Sequence, residues 1–288
     1  MTGDRIEALE PDLLRVLAPN ASPFTAGGTN SYVLGGGSVC VIDPGPADPA
    51  HLDALAEALD GRRVEAILVT HAHVDHSALA PALAGRTGAP VLAFGDALAG
   101  ARPAPVGVGG GTGVDRAFRP DRRLADGEEV AGAGWRLVAL HTPGHMGNHI
   151  CLDDGRRLFT GDHAMGFATS LVSPPEGDMG DYMASLERLT RLGRRILLPG
   201  HGAPVPDGES RLATLLDHRR AREAQVLRAL EAGPASAEEL TGSIYAAAPE
   251  RLRQAAQRNV LAHLIDLARR GLAIAEDPLA AGSRFRLP

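Results

Sequence analysis

The sequence contains no lysine, few aromatic residues and only two cysteines. All 29 basic residues are arginine, which together with the abundant alanine and glycine indicates a GC-rich coding bias. Aromatic residues make up 3% of the chain, a poor supply for platforms that stack bases of single-stranded nucleic acid. Cys40 and Cys151 lie inside apolar runs and are predicted to be small buried side chains, rather than a disulfide framework or a metal motif. The net charge of -6 argues against a wholly basic nucleic-acid-binding surface.

Long apolar runs are also missing. A transmembrane helix needs about 18 consecutive apolar residues, and no such run occurs, so we expect no membrane partner. The first seven residues include acids and no apolar stretch, which predicts no secretory signal. These two absences predict a cytoplasmic protein.

Short apolar runs that alternate with helical patterns predict an α/β fold. With 288 residues, 44% of them hydrophobic, the chain can form one large domain or a large and a small one. Leu13–Leu17 is predicted to be an edge strand. Further strands are predicted over 29–34, 38–42, 66–69, 90–94, 135–140, 150–152, 157–160 and 196–198, with helices over 48–59 and 181–192.

The composition changes after residue 208. An Arg-rich helix is predicted over 209–230, followed by a short helix from Ser236 and a longer one over 249–270. Strands over 272–275 and 284–287 would then pair as a hairpin. This order of elements predicts a catalytic domain over 1–208 and a winged-helix-like domain over 209–288.

A dense cluster of imidazoles and carboxylates follows the predicted strand 66–69. The run from His71 to His76 holds three histidines and one aspartate, and later strand ends deliver further candidates. The candidate ligands are His71, His73, Asp75, His76, His145, Asp162 and His201. Six donors plus a bridging carboxylate suit two adjacent divalent ions, and ligands without thiolate favour zinc, with iron or manganese as alternatives. Asp43 is interpreted as a turn residue first and as support for this site second.

The four motifs in this set resemble those of the metallo-beta-lactamase superfamily. They are the HxHxDH run 71–76, the TPGH sequence 142–145, the GD pair 161–162 and the PGH sequence 199–201, and the resemblance covers roughly residues 10 to 205. It implies an αββα sandwich with a dinuclear site. On the matching positions, it implies that His71, His73 and His145 hold the first metal ion. Asp75, His76 and His201 would hold the second, and Asp162 would bridge the two ions.

The resemblance also implies a mechanism. Two metal ions can hold a bridging hydroxide and polarise the substrate oxygen, while Asp75 orients the hydroxide and passes a proton to the leaving group. Aspartate at 162, where drug-cleaving members usually carry cysteine or serine, disfavours a true beta-lactamase. Histidine at 73, where flavodiiron members usually carry glutamate, disfavours oxygen reduction. The expected function is therefore two-metal hydrolysis.

The substrate and the role of the tail stay open at this point. The chain is similar to the lactamase-beta-like group with an appended winged helix, which includes an endoribonuclease acting on single-stranded RNA. Phosphodiester hydrolysis is one expectation, and thioester hydrolysis of the glyoxalase II type or lactone hydrolysis is the alternative. A persulfide dioxygenase would use a single iron instead. The expected partner is thus a small-molecule substrate or single-stranded RNA.

A non-enzymatic alternative places the function in the tail. The winged helix could dock nucleic acid through Arg251, Arg253 and Arg258, which would make the protein a regulator with a metal-sensing domain. These arginines are also explained as a solvated helix face. The wing is instead expected to shape the substrate cleft or to form a homodimer contact.

Three weaker predictions concern the surroundings of the site. His149 lies four residues after His145. It is predicted either to contact a metal ligand or the substrate, or simply to pack in the core. Tyr182, at the start of a predicted helix, is assigned to the rim of the cleft. The Gly- and Pro-rich segment 99–119 is predicted to be a mobile loop that edges the substrate cleft.

Overall fold

The computed structural model describes residues 5–103, 107–247, 249–276 and 279–288. Its strands are β1 (Ile6–Glu10), β2 (Leu13–Leu17), β3 (Asn30–Leu34), β4 (Ser38–Ile42), β5 (Arg63–Leu68), β6 (Val91–Ala93), β7 (Arg122–Arg123), β8 (Glu129–Gly132), β9 (Trp135–His141), β10 (Ile150–Asp153), β11 (Arg157–Gly161), β12 (Ile196–Pro199), β13 (Ala235–Ser236), β14 (Ile274–Ala275) and β15 (Arg284–Arg286). Its helices are α1 (Pro49–Leu59), α2 (Val74–Ser77), α3 (Ala80–Thr87), α4 (Met179–Thr190), α5 (Gly208–Leu230), α6 (Ala237–Ile244) and α7 (Glu250–Arg269). Among these described helices, none is long and apolar enough to cross a membrane.

The first sheet contains seven strands in the order β1-β2-β3-β4-β5-β6-β7. Strands β1 to β4 are antiparallel, whereas β4 to β7 run parallel. The prediction that Leu13–Leu17 is an edge strand is wrong, because β1 pairs with its outer side. The sequence of β1, IEALE, buries no residue fully, so its apolar pattern is too weak to predict a strand.

The second sheet has the order β12-β11-β10-β9-β8 and faces the first. Side chains from both sheets, among them Tyr32, Leu68, Leu137 and Phe159, form one core between them. A second core joins the outer face of the first sheet to α1 and α3, and a third joins the outer face of the second sheet to α4 and α5. The predicted αββα sandwich is confirmed.

The polar residues that follow several strands lie at one edge of the sandwich. Strands β4 and β5 are parallel, and the chain beyond them reaches Asp43 and His71 at the same edge. Strands β11 and β12 are also parallel and are followed by Asp162 and His201. A backbone bridge between Thr29 and His201 joins the two sheets there. Topology therefore brings together residues that are far apart in sequence.

The C-terminal part adds the predicted winged helix. Strands β13, β15 and β14 form a small antiparallel sheet, and α6 begins with the expected capping box of Ser236 and Glu239. Helix α5 contributes to two cores: Leu212 and Leu215 pack against the second sheet, whereas Val226 packs among the C-terminal elements. The winged helix is thus joined to the sandwich by a continuous helix.

Arg157 ties the first hairpin to the second sheet. Its side chain, only 8% exposed, donates to Glu10 at 2.8 Å and to both oxygens of Asp12 at 2.9 and 2.8 Å. It also pairs with Asp154 across the turn between β10 and β11. One buried guanidinium therefore contacts three carboxylates, and Arg156 pairs with one of them, Glu10, as well.

Changing Arg157 to methionine is expected to lower the free energy of unfolding by about 2–3 kcal/mol. This is less than the loss expected when one partner of a fully buried ion pair is removed, because Glu10 and Asp12 keep contact with water. Urea unfolding followed by circular dichroism measures the change. The control is Arg136→Met, whose side chain is 71% exposed and whose loss is expected to cost at most about 0.5 kcal/mol. Equal losses in the two variants would contradict the role of the buried cluster.

Candidate metal centre

Three histidine nitrogens converge at the polar edge. The Nδ1 atom of His73 lies 3.0 Å from Nε2 of His71 and 3.0 Å from Nε2 of His145. His71 follows β5, His73 precedes the short helix α2, and His145 lies in the loop between β9 and β10. With one oxygen of Asp162, their donor atoms all lie within 4.8 Å of one another, which is close enough to surround one cation.

A second group of donors lies beside the first. The Oδ2 atom of Asp75 lies 3.5 Å from Nε2 of His76 and 3.3 Å from Nε2 of His201. Asp75 and His76 lie in α2, and His201 follows β12. These three residues form the second potential cation site among the described residues.

Asp162 contacts both groups. Its Oδ1 atom lies 3.4 Å from Nε2 of His76 and 3.2 Å from Nε2 of His201, while its Oδ2 atom lies 3.7 Å from Nε2 of His145. The two carboxylate oxygens therefore face different donor groups. All seven residues predicted as ligands are brought together by the fold.

Two of the donor atoms lack hydrogen-bond partners in the described part of the chain, and a divalent cation could take the place of such partners. His76 Nε2 and Asp162 Oδ1 are buried and have no hydrogen-bond partner among the described residues. Buried polar atoms usually have partners, and a bound cation would provide one for both. The Nδ1 atom of His76 faces Asp43, and Nδ1 of His145 faces a backbone carbonyl, so Nε2 of each ring is directed at the site.

The environment sets the charge of the imidazoles. Burial lowers the pKa of His71 well below its usual value and the pKa of His73 to about 3, so both rings are neutral and able to donate lone pairs. Burial also acts on His201, but the nearby Asp162 and Asp75 carboxylates outweigh it and raise its pKa to about 9. A cation that bound this second group would therefore displace a proton.

Asp43 supports the site from behind, as the sequence suggested. Its carboxylate accepts hydrogen bonds from Thr70 N at 2.7 Å and Thr70 Oγ1 at 2.8 Å, and it contacts His76 Nδ1 at 2.9 Å. The residue has φ of 50°, an unusual conformation that aspartate tolerates better than most side chains. The turn after β4 thus fixes the orientation of a ligand candidate.

Gly200 allows the strand ends to approach closely. A Cβ atom at this position would lie 2.6 Å from Cε1 of His76 and 2.7 Å from Oδ1 of Asp162. Both distances are shorter than a real Cβ contact allows. The glycine before His201 is therefore required by space.

His149 lies behind the donor groups. It is buried, its Nδ1 atom lies 3.0 Å from Oγ1 of Thr142, and its ring centre lies 5.1 Å from that of His71. It therefore supports His71 from the protein side.

The assignment of Tyr182 to the rim is wrong. Its side chain is fully buried, and its hydroxyl donates to the carbonyl of His163 at 2.9 Å. Helix α4 begins at Met179 with Asp178 as its N-cap, two residues earlier than predicted. Tyr182 lies on the buried face of the helix with Leu186 and Leu189, which follow it at helical spacing.

The segment 99–119 edges the site in its described parts. Val114 forms a backbone bridge with His73, and Val74 N donates to Gly113 O at 2.8 Å. Glu176 holds the segment from the other side by accepting from Gly111 N at 3.1 Å. The described part of the segment thus lies beside His73, and residues 104–106 lie outside the described part of the chain.

Two polar residues at the start of β3 were not predicted as part of the site. Thr29 Oγ1 donates to Asp75 Oδ2 at 3.2 Å, and Asn30 donates to the carbonyls of Pro199 and Gly202 at 2.9 and 2.8 Å. The available signal was the polar pair Thr29-Asn30 directly before a fully buried apolar strand. These residues fix Asp75 and the turn that carries His201.

The family comparison agrees with this geometry. The model of the metallo-beta-lactamase superfamily matches residues 24–201, and that of the beta-lactamase associated winged helix domain matches residues 236–280. The chain belongs to the metallo-beta-lactamase superfamily and is a hydrolase of that superfamily with a C-terminal winged helix.

Two related proteins are similar to this chain in sequence. The beta-lactamase-like protein 2 homolog of Caenorhabditis elegans is 31% identical over 283 residues, which cover 95% of this chain and 89% of that protein. The atrochrysone carboxyl ACP thioesterase of Aspergillus terreus is 32% identical over 230 residues. That match covers 78% of this chain but only 65% of the thioesterase, so the chain spans less than two thirds of that relative's length.

Two solved structures are similar to this chain over different shares of its length. The metallo-beta-lactamase family protein TTHA1429 of Thermus thermophilus is 27% identical, with a TM-score of 0.77 over 98% of this chain and 100% of that one. A structure of TTHA1623 in a di-iron-bound form is also 27% identical, with a TM-score of 0.52 over 68% of this chain and 96% of that one. The first likeness includes the winged helix, whereas the second extends over about two thirds of the chain.

Proposed function

We propose that this protein is a two-metal hydrolase that cleaves acyl thioesters. The observation that carries the two-metal part is Asp162, whose two oxygens face two separate groups of nitrogen and oxygen donors. Zinc suits imidazole and carboxylate ligands without thiolate, and it is the proposed metal. The di-iron form of a similar structure makes iron the alternative.

The candidate ligands divide into two groups, one for each proposed ion. His71, His73 and His145 would hold one ion, Asp75, His76 and His201 the other, and Asp162 both. The ions would activate water and polarise the substrate carbonyl.

Asp75 is the candidate for proton transfer. Its side chain is 24% exposed, against 12% for Asp162, so it is the carboxylate that water and substrate reach more easily. Thr29 fixes one of its oxygens. Asp75 can accept a proton from the attacking water and pass it to the departing sulfur. A thiol, with pKa of about 8.5, is a good leaving group and needs little help of this kind.

The substrate class is supported by apolar side chains around the site. Val74, next to His73, is 43% exposed, and Phe167 is 47% exposed. The Phe167 ring packs on Gly202, since a Cβ atom there would lie 2.8 Å from the ring. An apolar surface beside a polar centre suits an acyl chain attached to a reactive carbonyl. The relatives named as acyl carrier protein thioesterases support the same substrate class.

Single-stranded RNA has weaker support as a substrate. Phosphate recognition uses arginines that are available to the ligand. Arg116, on the segment beside His73, pairs with Glu176 at 3.3 Å. Arg15 pairs with Glu7 and also donates to Gly202 O at 3.3 Å. Arg15 is thus held by two partners, whereas Arg116, with a side chain 64% exposed, has one surface ion pair.

The nucleic-acid regulator also has weaker support. Arg258 does not lie on a solvated helix face: its guanidinium donates to four groups of the catalytic domain, so that interpretation is wrong for this residue. Arg253 pairs with Glu250 at 3.0 Å. The side chain of Arg251 lies outside the described part of the structure.

The test is a turnover panel on metal-analysed enzyme. The substrates are a medium-chain acyl-CoA, S-lactoylglutathione, a lactone, a phosphodiester chromogen, single-stranded RNA and nitrocefin. We expect the acyl thioester to have the highest kcat/KM and the activity to disappear with a chelator. Faster, chelator-sensitive cleavage of RNA would instead support the ribonuclease hypothesis and overturn the thioester proposal.

Changing Phe167 to serine tests the acyl surface. We expect KM for a medium-chain acyl thioester to rise about tenfold, which corresponds to about 1.4 kcal/mol of lost apolar contact, with kcat little changed. Steady-state kinetics with short and medium acyl chains measure the effect, which should shrink for the short chain. Ile274→Ser, on the C-terminal sheet with a similarly exposed apolar side chain, is the control and should leave KM unchanged.

A further inference from the structure

One peptide group connects the winged helix to a ligand candidate. The carbonyl oxygen of Leu171 lies 2.6 Å from Nδ1 of His145 and accepts its hydrogen. The N–H of the same peptide belongs to Val172 and donates to Oδ1 of Asn259 at 2.9 Å. Asn259 lies in α7, the long helix of the C-terminal domain. A single rigid amide plane thus lies between the helix and the imidazole.

We propose that Asn259 is a positioning residue for the metal centre, which acts through this peptide to orient His145. The inference rests on the proposed metal site. Because a carbonyl oxygen can only accept, it fixes the hydrogen of His145 on Nδ1 and leaves the lone pair on Nε2, which faces His73 and Asp162. The Asn259 acceptor restricts rotation of the amide plane and therefore the direction of that carbonyl.

The neighbouring residue on α7 strengthens the connection. Arg258 donates to Ser173 Oγ at 2.9 Å and also to the carbonyl of Pro174, directly after the peptide that Asn259 holds. The same guanidinium donates to Val108 O at 2.6 Å and Gly109 O at 3.0 Å. That second loop continues to Val114, which bridges to His73. Consecutive residues of α7 therefore hold the loops next to two ligand candidates.

The rest of the loop is held independently of Asn259. Arg211 of α5 donates to Met165 O at 2.7 Å and Ala168 O at 2.8 Å, and Arg219 donates to Ser170 O. The hydroxyl of Ser170 also contacts the carbonyl of Asp162. Loss of the Asn259 acceptor should therefore free one peptide without unfolding the loop.

Substitutions at Asn259 can separate hydrogen bonding from packing. Asn259→Leu keeps the volume and removes the acceptor, whereas Asn259→Asp keeps an acceptor oxygen at the same reach. Gln254→Ala, at an exposed position of the same helix, is the matched control. The measurements are the Zn²⁺ dissociation constants of the metal-free protein, by competition with a chromophoric chelator, and the visible spectrum of the Co²⁺-loaded protein. Melting temperatures of the metal-free variants report folding.

We expect Asn259→Leu to weaken Zn²⁺ binding about tenfold, as for other residues that orient a histidine ligand, and to shift the Co²⁺ bands. Asn259→Asp and Gln254→Ala should bind Zn²⁺ like the wild type. Unchanged binding in Asn259→Leu, or equal weakening in Asn259→Leu and Asn259→Asp, would overturn the proposal. If the leucine variant does not fold, the same comparison is made between Asn259→Ser, whose hydroxyl is too short to reach, and Asn259→Asp.

The result also separates this inference from the proposed function. If the wild-type protein binds no Zn²⁺ and no Co²⁺, the metal site itself is refuted. If the wild type binds both and the Asn259 variants are indistinguishable from it, only the positioning role is refuted.

Discussion

Replacing Asp162 with alanine is expected to remove tight binding of at least one metal ion and to lower kcat/KM by more than about 10³-fold, because one carboxylate serves both donor groups. Of the two carboxylates in the set, Asp75 lies within 4 Å of His76 and His201, whereas Asp162 lies within 4 Å of these two and of His145 in the first group. Elemental analysis of protein dialysed against excess Zn²⁺ gives the metal content, and turnover of the acyl thioester gives the activity.

The matched control is Asp53→Ala, which removes an aspartate whose side chain is 67% exposed on α1. It should bind metal and turn over substrate like the wild type. If Asp162→Ala kept the full metal content and at least half of the activity, the shared carboxylate would not organise the centre. The two-metal proposal would then be wrong.

Changing Asp75 to asparagine is expected to lower kcat by about 10²–10⁴-fold, the usual loss for a group that transfers protons. The amide keeps the shape of the side chain and its contact with Thr29, but it cannot accept a proton. Its KM should change little, because the apolar surface at Phe167 is untouched.

Metal content must be measured on the same preparation of the Asp75 variant, because Asp75 also belongs to the second donor group. A loss of kcat that remains when the variant is saturated with Zn²⁺ supports proton transfer. If added Zn²⁺ restores kcat completely, Asp75 acts only as a ligand. Comparison of the pH dependence of kcat before and after saturation gives a second, independent reading.

The sequence was sufficient for the fold and for the residues that meet at its polar edge. Each motif follows or precedes a strand with a strong apolar pattern, such as the buried strands before His71 and His201. Strand ends in α/β folds meet at a shared edge, so the order of motifs predicted their convergence. The support from Asp43 was also predictable, because its turn directly follows a buried strand.

Other features depend on contacts between distant segments and could not be predicted. The burial of Tyr182 depended on how α4 packs: Tyr182 shares a face with Leu186 and Leu189, and the hydroxyl finds a buried carbonyl acceptor in His163, 19 residues earlier in the chain. Arg258 looked like an ordinary charged residue of an amphipathic helix, and its four carbonyl and hydroxyl partners come from segments 84 to 150 residues away. Such pairings leave no local periodicity in the sequence.

Helix α5 contributes side chains to the hydrophobic cores of both parts of the molecule. Leu212, Leu215 and Leu216 complete a core of the sandwich, and Val226 and Leu230 complete the core of the tail, all on one uninterrupted helix. Unfolding of either end of α5 would remove apolar contacts from one core and the helical support of the other, so we expect the two parts to unfold together. The winged helix could therefore not be exchanged alone. A chimera joined at residue 208 would lose Leu212, Leu215 and Leu216 and expose the apolar surface that they cover on the sandwich.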